Sequence, residues 1–294
     1  MKVLLINNGI HNKNLNAILQ YNIILSVIIV PCLDGIDLSQ FDVVYSPCTP
    51  INVKKYPDIK FIFGPHFSVF PDKNQMDMIQ GSNSIYIQPS EWAKNVWLFH
   101  PFCKNIRLEV LPFGVDTIKF SPVKSINEKT NIFIYYKRRN HNELDFLYKF
   151  LQSNGFNPKI FNYVTKYPEE EYINYLRDSK FGIWLTAHES QGFALEEALS
   201  CDVPLLVWNV TSMNQEEGSN YQNITATTIP YWDERCGEYF TDSSELNSVF
   251  SKFISKLNDY KPRDYILENL SIDKCEKKFI EVIKQTEKKN ETKI

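Results

Sequence analysis

Apolar positions along the chain fall into short blocks separated by polar, helix-sized gaps. Lys2–Ile6, Ile23–Val30, Phe41–Tyr45, Lys60–Phe63, Ser84–Gln88 and Ile106–Leu111 read as strands. Short apolar runs rich in β-branched and aromatic residues suit strands buried on both faces. Residues 13–20 have the spacing of a short helix, and Pro89-Ser90 caps another through about Leu98, with Glu91 in its first turn. A second series follows: Asn131–Tyr136, Lys159–Asn162, Phe181–Leu185 and Val203–Trp208 as strands, with Ala226–Tyr231 as a further one. Helices are predicted over 141–153, where Leu144, Leu147, Phe150 and Leu151 share a face, from Pro168, from Gly192, over 243–257 and over 271–286. Strand and helix alternate, the pattern of an α/β fold with doubly wound parallel sheets. Residues 113–129 lack periodicity and hold Gly114 and Pro122, so they read as a linker; residues 209–224, polar and containing Gly218, read as an exposed loop.

The length of 294 residues accommodates two domains of ordinary size. The expected bounds are 1–118 and 130–270, followed by a terminal helix over 271–294. The formal net charge of −3 carries no basic signature, so nucleic acid is not an expected partner. Six cysteines lie far apart without a Cys-x-x-Cys pair, as reduced thiols of a cytoplasmic protein do. Met1-Lys-Val opens directly on a strand rather than on a signal peptide. The run Ile23–Val30 is too short to cross a membrane. The last helix has an apolar stripe of Ile272, Cys275, Phe279, Val282 and Ile283 and a Lys-rich opposite face with acids interleaved. Docking on the body is the reading preferred for it, with peripheral membrane contact as the other.

Chemistry concentrates in Phe181–Trp208, a strand, loop, helix and strand. Ligands of parallel sheets bind at the carboxyl ends of the strands, where helices begin. Glu189 lies there, beside Gln191, Gly192 and Phe193, whose backbone opens the helix. Helix starts attract phosphate, and glycine leaves room for it. Glu197 lies two turns further on, eight residues after Glu189, among apolar neighbours; a ribose diol would satisfy a carboxylate there. Glu196 is the acid expected to face solvent. Lys137-Arg138-Arg139 follows a strand at the same sheet end and suits a diphosphate, with Lys137 and Arg139 expected on one side of the continuing strand. His66 follows Gly64-Pro65 at a strand end in the first half. His188 adjoins Glu189, and Arg235 lies in a later loop. No Asp-x-Asp pair follows a strand and no His, Cys and carboxylate cluster has metal-ligand spacing, so neither a catalytic metal nor a cofactor is expected.

The stretch Glu189-Ser-Gln-Gly-Phe-Ala-Leu-Glu-Glu197 resembles the Glu-x7-Glu motif of retaining glycosyltransferases of family 4. Ser90-Glu-Trp-Ala and Glu109–Asp116 through Phe120-Ser-Pro122 resemble the end of that family's first domain. The likeness covers roughly the second two-thirds of the chain; at the N-terminus Gly9 stands alone where family members carry a glycine-rich loop. The resemblance implies the GT-B fold, two Rossmann-like domains facing each other across a cleft, with the last helix crossing back to the first. It implies transfer of a hexosyl group from a nucleotide sugar to the hydroxyl of a glycan, lipid or small-molecule acceptor, with retention; the missing metal-ligand patterns make metal-independent transfer the expectation. Glu189 would face the transferred sugar, Glu197 the ribose, residues 191–193 the diphosphate, and His66 the sugar from the first domain. A non-catalytic nucleotide-sugar-binding module and a nucleotide-sugar epimerase of the same fold are the alternatives.

Overall fold

The computed structural model describes residues 1–21 and 25–286. It divides into two compact units, Met1–Gly114 with Leu270–Ile294, and Val115–Asn269. In the first unit the described elements run β1 (Lys2–Ile6), α1 (Asn12–Leu19), β2 (Ser26–Val30), β3 (Val43–Ser46), β4 (Phe61–Phe63), α2 (Lys73–Ile79), β5 (Ser84–Gln88), α3 (Glu91–Leu98) and β6 (Leu108–Val110). The strands form a parallel sheet in the order β2-β1-β3-β4-β5-β6. Central strands β3, β4 and β5 are buried at every position, which is why they read as unbroken apolar runs. The edge strand β2 leaves Ile28 and Ile29 partly exposed. Residues 23–24, at the start of the strand expected there, lie outside the described residues.

The second unit runs β7 (Asn131–Lys137), α4 (His141–Ser153), β8 (Lys159–Asn162), α5 (Glu169–Arg177), β9 (Ser179–Thr186), α6 (Phe193–Ser200), β10 (Leu205–Trp208), β11 (Gly237–Phe240), α7 (Leu246–Ser255) and α8 (Pro262–Asn269). Its strands are also parallel, in the order β11-β10-β9-β7-β8. Ile134, Leu147, Leu151, Phe181, Leu185, Leu206 and Phe253 form the core between one face of this sheet and helices α4 and α7. A last helix, α9 (Ile272–Gln285), belongs to the first unit. Its Phe279 ring lies 6.1 Å from Tyr21 and 5.4 Å from Tyr45. Its buried Glu276 accepts from the Leu25 amide at 3.2 Å. Arg107 grips the end of α9 through the carbonyl and side-chain oxygens of Gln285, at 2.7 and 2.9 Å. No helix among the described residues is long and apolar enough to cross a membrane.

Two sequence expectations need correction, and the stretch read as a linker gains detail. Residues 115–129 of that stretch are fastened to the second unit. The Phe120 carbonyl accepts from Ser200 and Arg263 at 2.6 and 3.2 Å, and buried Lys129 donates to the carbonyls of Cys201 and Asp202 at 2.9 and 2.8 Å, closing the end of α6. Residues 226–231 form no strand; only Ser212 and Thr225 make a single antiparallel bridge. The edge position is taken by β11, whose four residues, Gly-Glu-Tyr-Phe, are too few to give a periodic apolar signal. Finally, the loop 209–224 is folded inward at several points, with Val210, Ser212, Met213 and Glu216 buried and a Ser212/Gln215 capping box.

Gly182 explains the glycine inside a buried strand. A Cβ there would lie 2.4 Å from the Phe133 ring of neighbouring β7. Gly182→Ala is therefore expected to cost about 1–3 kcal/mol through overpacking. Urea unfolding measures it; an unchanged midpoint would show that the Phe133 ring moves aside freely.

Candidate functional site

The carboxyl ends of β7, β9 and β10 carry a set of charges held in fixed pairs. Strand β7 ends at Lys137, and Arg138 then adopts a left-handed backbone with φ of 50°. Such a turn is uncommon outside glycine, and it ends the pleat, so the next side chains do not follow strand alternation. The three consecutive cations splay to three different acids. Lys137 Nζ lies 2.9 Å from each carboxylate oxygen of Glu189 and 4.6 Å from the centre of the Tyr163 ring. Arg138 Nη1 lies 2.5 Å from Glu216, and its carbonyl accepts from the Glu217 amide at 3.0 Å. Arg139 forms a two-pronged pair with Glu143 at 2.8 and 2.7 Å and donates to the carbonyls of Thr186 and Trp208 at 3.3 and 3.1 Å. Expected beside Lys137 as a second phosphate cation, Arg139 is instead 1% exposed, spent on tying β9, β10 and α4 together.

The Glu189 loop is fixed by backbone bonds. The Ala187 amide donates to Lys137 O at 3.0 Å, and the Glu189 amide to Thr227 O at 3.0 Å. Gly192 then adopts φ of 95° and caps α6 with no side-chain hydrogen bond, so no side chain at the cap position competes for the first-turn amides. Lys137 would be depressed by burial, but the Glu189 charge and hydrogen bonds outweigh that and raise its pKa. Gln191, Glu196 and Glu197 are all buried, because α6 is packed on nearly every side. The expectation that Glu196 faces solvent is therefore wrong: it is fully buried and accepts from Gln191 Nε2 at 3.0 Å. Burial pushes its carboxyl well above the usual range, against the lowering effect of the Gln191 bond.

Glu216 escaped the sequence reading. It sits in the polar run Ser212–Gly218, where nothing marks one glutamate from its neighbours, yet it is buried between Arg138 and His188, whose Nε2 lies 3.4 Å away. Burial lowers the His188 pKa despite Glu216 and Glu189 nearby. Tyr163 and the Tyr135–Tyr167 hydroxyl pair at 2.8 Å were also missed, because tyrosines in a strongly aromatic chain carry no distinguishing pattern. Arg235 is engaged by Asp233 and Glu268 at 2.8 and 2.7 Å, away from this cluster in sequence and in partners.

In the first unit, His66 lies after β4. Its amide donates to Pro47 O at 2.9 Å, and its Nε2 lies 3.1 Å from Asn14 Nδ2. The His11 ring is 6.4 Å away, and Asn8 reaches Thr49 Oγ1 at 3.3 Å, so the loops after β1, β3 and β4 converge at one sheet end. Burial, with a contribution from His11, depresses His66 to about 4. Among the described residues no group of three or more His, Cys, Asp and Glu is placed to hold a metal ion.

No family model and no curated protein sequence matches this chain. Solved structures do. A glycosyltransferase from Rickettsia africae superposes with a TM-score of 0.61 at 10% identity, over 98% of this chain and 99% of that one. The apo form of WaaB, a lipopolysaccharide outer core galactosyltransferase, gives 0.54 at 12% identity, over 97% and 99%. The N-terminal domain of Candida albicans trehalose-6-phosphate phosphatase gives 0.58 at 10% identity, over 97% and 96%. With two Rossmann-like units of parallel strands, the fold is GT-B.

Glu196 supplies a test of the buried site. Its folded pKa is raised, so the native state keeps a proton that the unfolded chain releases above the ordinary glutamate value of about 4.3. Stability from this group is present at low pH and is lost as pH rises. Glu196→Gln, which cannot ionise, should gain more stability over the parent at pH 8 than at pH 5 in urea unfolding. The same difference at both values would mean that Glu196 is not held protonated.

Proposed function

We propose that the chain is a retaining hexosyltransferase of the family 4 type, moving a sugar from a nucleoside-diphosphate sugar to an acceptor hydroxyl. The second unit binds the donor and the first the acceptor. The observation that carries this reading is the Lys137–Glu189 pair beside a helix start capped by Gly192, which has no side chain, with buried Glu197 further along the same helix. A diphosphate at residues 191–193 meets the first-turn amides of α6 and draws on the Lys137 ammonium. Glu189, shared by Lys137 before the donor arrives, then faces the transferred sugar. Glu197 accepts hydrogen bonds from the ribose hydroxyls. Arg138, half exposed, takes the role of second cation in place of Arg139.

The chemical step breaks the bond between the anomeric carbon and the phosphate oxygen, whose electron pair stays on the phosphate. The acceptor oxygen bonds the same carbon from the same face, and its proton passes to the departing phosphate. Fixed positive charge and amides at that phosphate stabilise the transition state. Because Lys137, Arg138 and α6 supply this compensation, the reaction runs without a divalent metal. Hydrolysis of UDP-, GDP- and ADP-sugars, measured with and without excess EDTA, tests both points. Nucleotide release from at least one donor, within a few-fold of the same rate in EDTA, is the expected result. Loss of activity in EDTA, restored by Mn²⁺, would overturn metal independence; binding without release, or release of an altered sugar, would favour a binding module or an epimerase.

Lys137→Ala should weaken the nucleoside diphosphate by about ten- to a hundredfold, as a charge-assisted hydrogen bond contributes roughly 1.5–3 kcal/mol. The nucleoside alone should lose little. Titration calorimetry with both ligands decides: equal losses would place Lys137 in a structural role.

A further inference from the structure

The polar cluster at the carboxyl end of the first sheet fixes more than the position of His66. An amide nitrogen only donates, so the Asn14 Nδ2 that lies 3.1 Å from Nε2 requires that Nε2 accept. A neutral imidazole that accepts at Nε2 carries its proton on Nδ1. Asn14 is itself 4% exposed and sits in the first turn of α1, so it is held rather than mobile on the surface. The backbone of His66 is anchored separately to Pro47, which leaves the ring orientation to Asn14. Among the described residues nothing hydrogen-bonds Nδ1, and the residue as a whole is only partly covered.

We propose that Asn14 is a positioning residue that holds His66 as its Nδ1–H tautomer, so that Nδ1 donates to a hydroxyl oxygen of the ligand bound by the first unit. This deepens the transferase reading and rests on it for the identity of the ligand as a sugar or hydroxyl-bearing acceptor. The groups that face His66 are the Asn14 amide, the Pro47 carbonyl and the His11 ring. None of them is an acid that would hold a proton on Nε2. The low pKa of His66 keeps the ring neutral at pH 7, so one tautomer or the other is present rather than imidazolium. A neutral ring donates one hydrogen bond to a hydroxyl without placing a buried charge beside it.

The test is a long-range proton–nitrogen correlation spectrum of the ¹⁵N-labelled full chain at pH 7, with His66 assigned by its loss in His66→Gln. The expected result is a protonated Nδ1 and an unprotonated Nε2. Asn14→Asp replaces the donor with an acceptor and should move the proton to Nε2; Asn14→Leu, which removes the donor, should populate Nε2–H in part and serves if the aspartate variant does not fold. An Nε2–H tautomer in the parent, or a tautomer unaltered in both variants, overturns the proposal. On a nucleotide sugar that the parent hydrolyses, Asn14→Asp should lower kcat about five- to tenfold, the loss of one hydrogen bond, with KM for the donor within twofold. An inverted tautomer with unchanged kcat overturns the ligand contact. A parent inactive on every nucleotide sugar refutes the transferase reading, and the spectrum still decides the tautomer.

Discussion

The ion pairing at the end of β7 is the constraint on which the second unit depends. Three consecutive cations emerge at one strand end, and a buried charge without a partner is costly. The left-handed turn at Arg138 resolves this by sending each side chain to a different segment. Arg139 joins α4, β9 and β10; Arg138 pins the loop after β10; Lys137 reaches the loop before α6. Their exposure rises from Arg139, through Lys137, to Arg138. That gradient separates the three within one short run: the most buried cation ties strands and helix together, and the two more accessible ones are those assigned to an anion in the proposed function.

Helix α6 meets the opposite demand, holding two adjacent carboxylates in an apolar setting. At Glu196 burial favours the protonated form, and Gln191 donates to its Oε2. Gln191 also belongs to the segment whose backbone opens the helix, so the buried pair stiffens the turn that Gly192 makes. The end of α6 is closed by Lys129, whose ammonium donates to the carbonyls of the cap residue Cys201 and of Asp202 just beyond it. A helix only eight residues long, weak alone, is thereby held at both ends by tertiary bonds.

In the first unit, α9 supplies what the sheet's short strands lack. Phe279 packs between Tyr21 and Tyr45, and Gly114 lies so close to α9 that a Cβ would come within 2.6 Å of Ile272 Cα. The glycine that ends the first segment of this unit is thus required by helix packing.

The strands β1, β5, β8 and the helix α4 were legible to the residue, because continuous apolar runs and a 3.6-residue stripe are local signals. The strand β11 and helices α2 and α8 were not, because their cues are few apolar residues in polar surroundings. The site divides in the same way. Glu189, Gly192 and Glu197 stand out by spacing along the chain, and Lys137 by following a strand. The sequence by itself determined two doubly wound α/β units and the residues of the β9–α6 turn. Only the tertiary structure decided that Arg139 is buried, that Glu196 is not solvated, and that Glu216 and Asn14 face Arg138 and His66. Burial and ion partners are set by segments distant in the chain, and no local pattern records which ones meet.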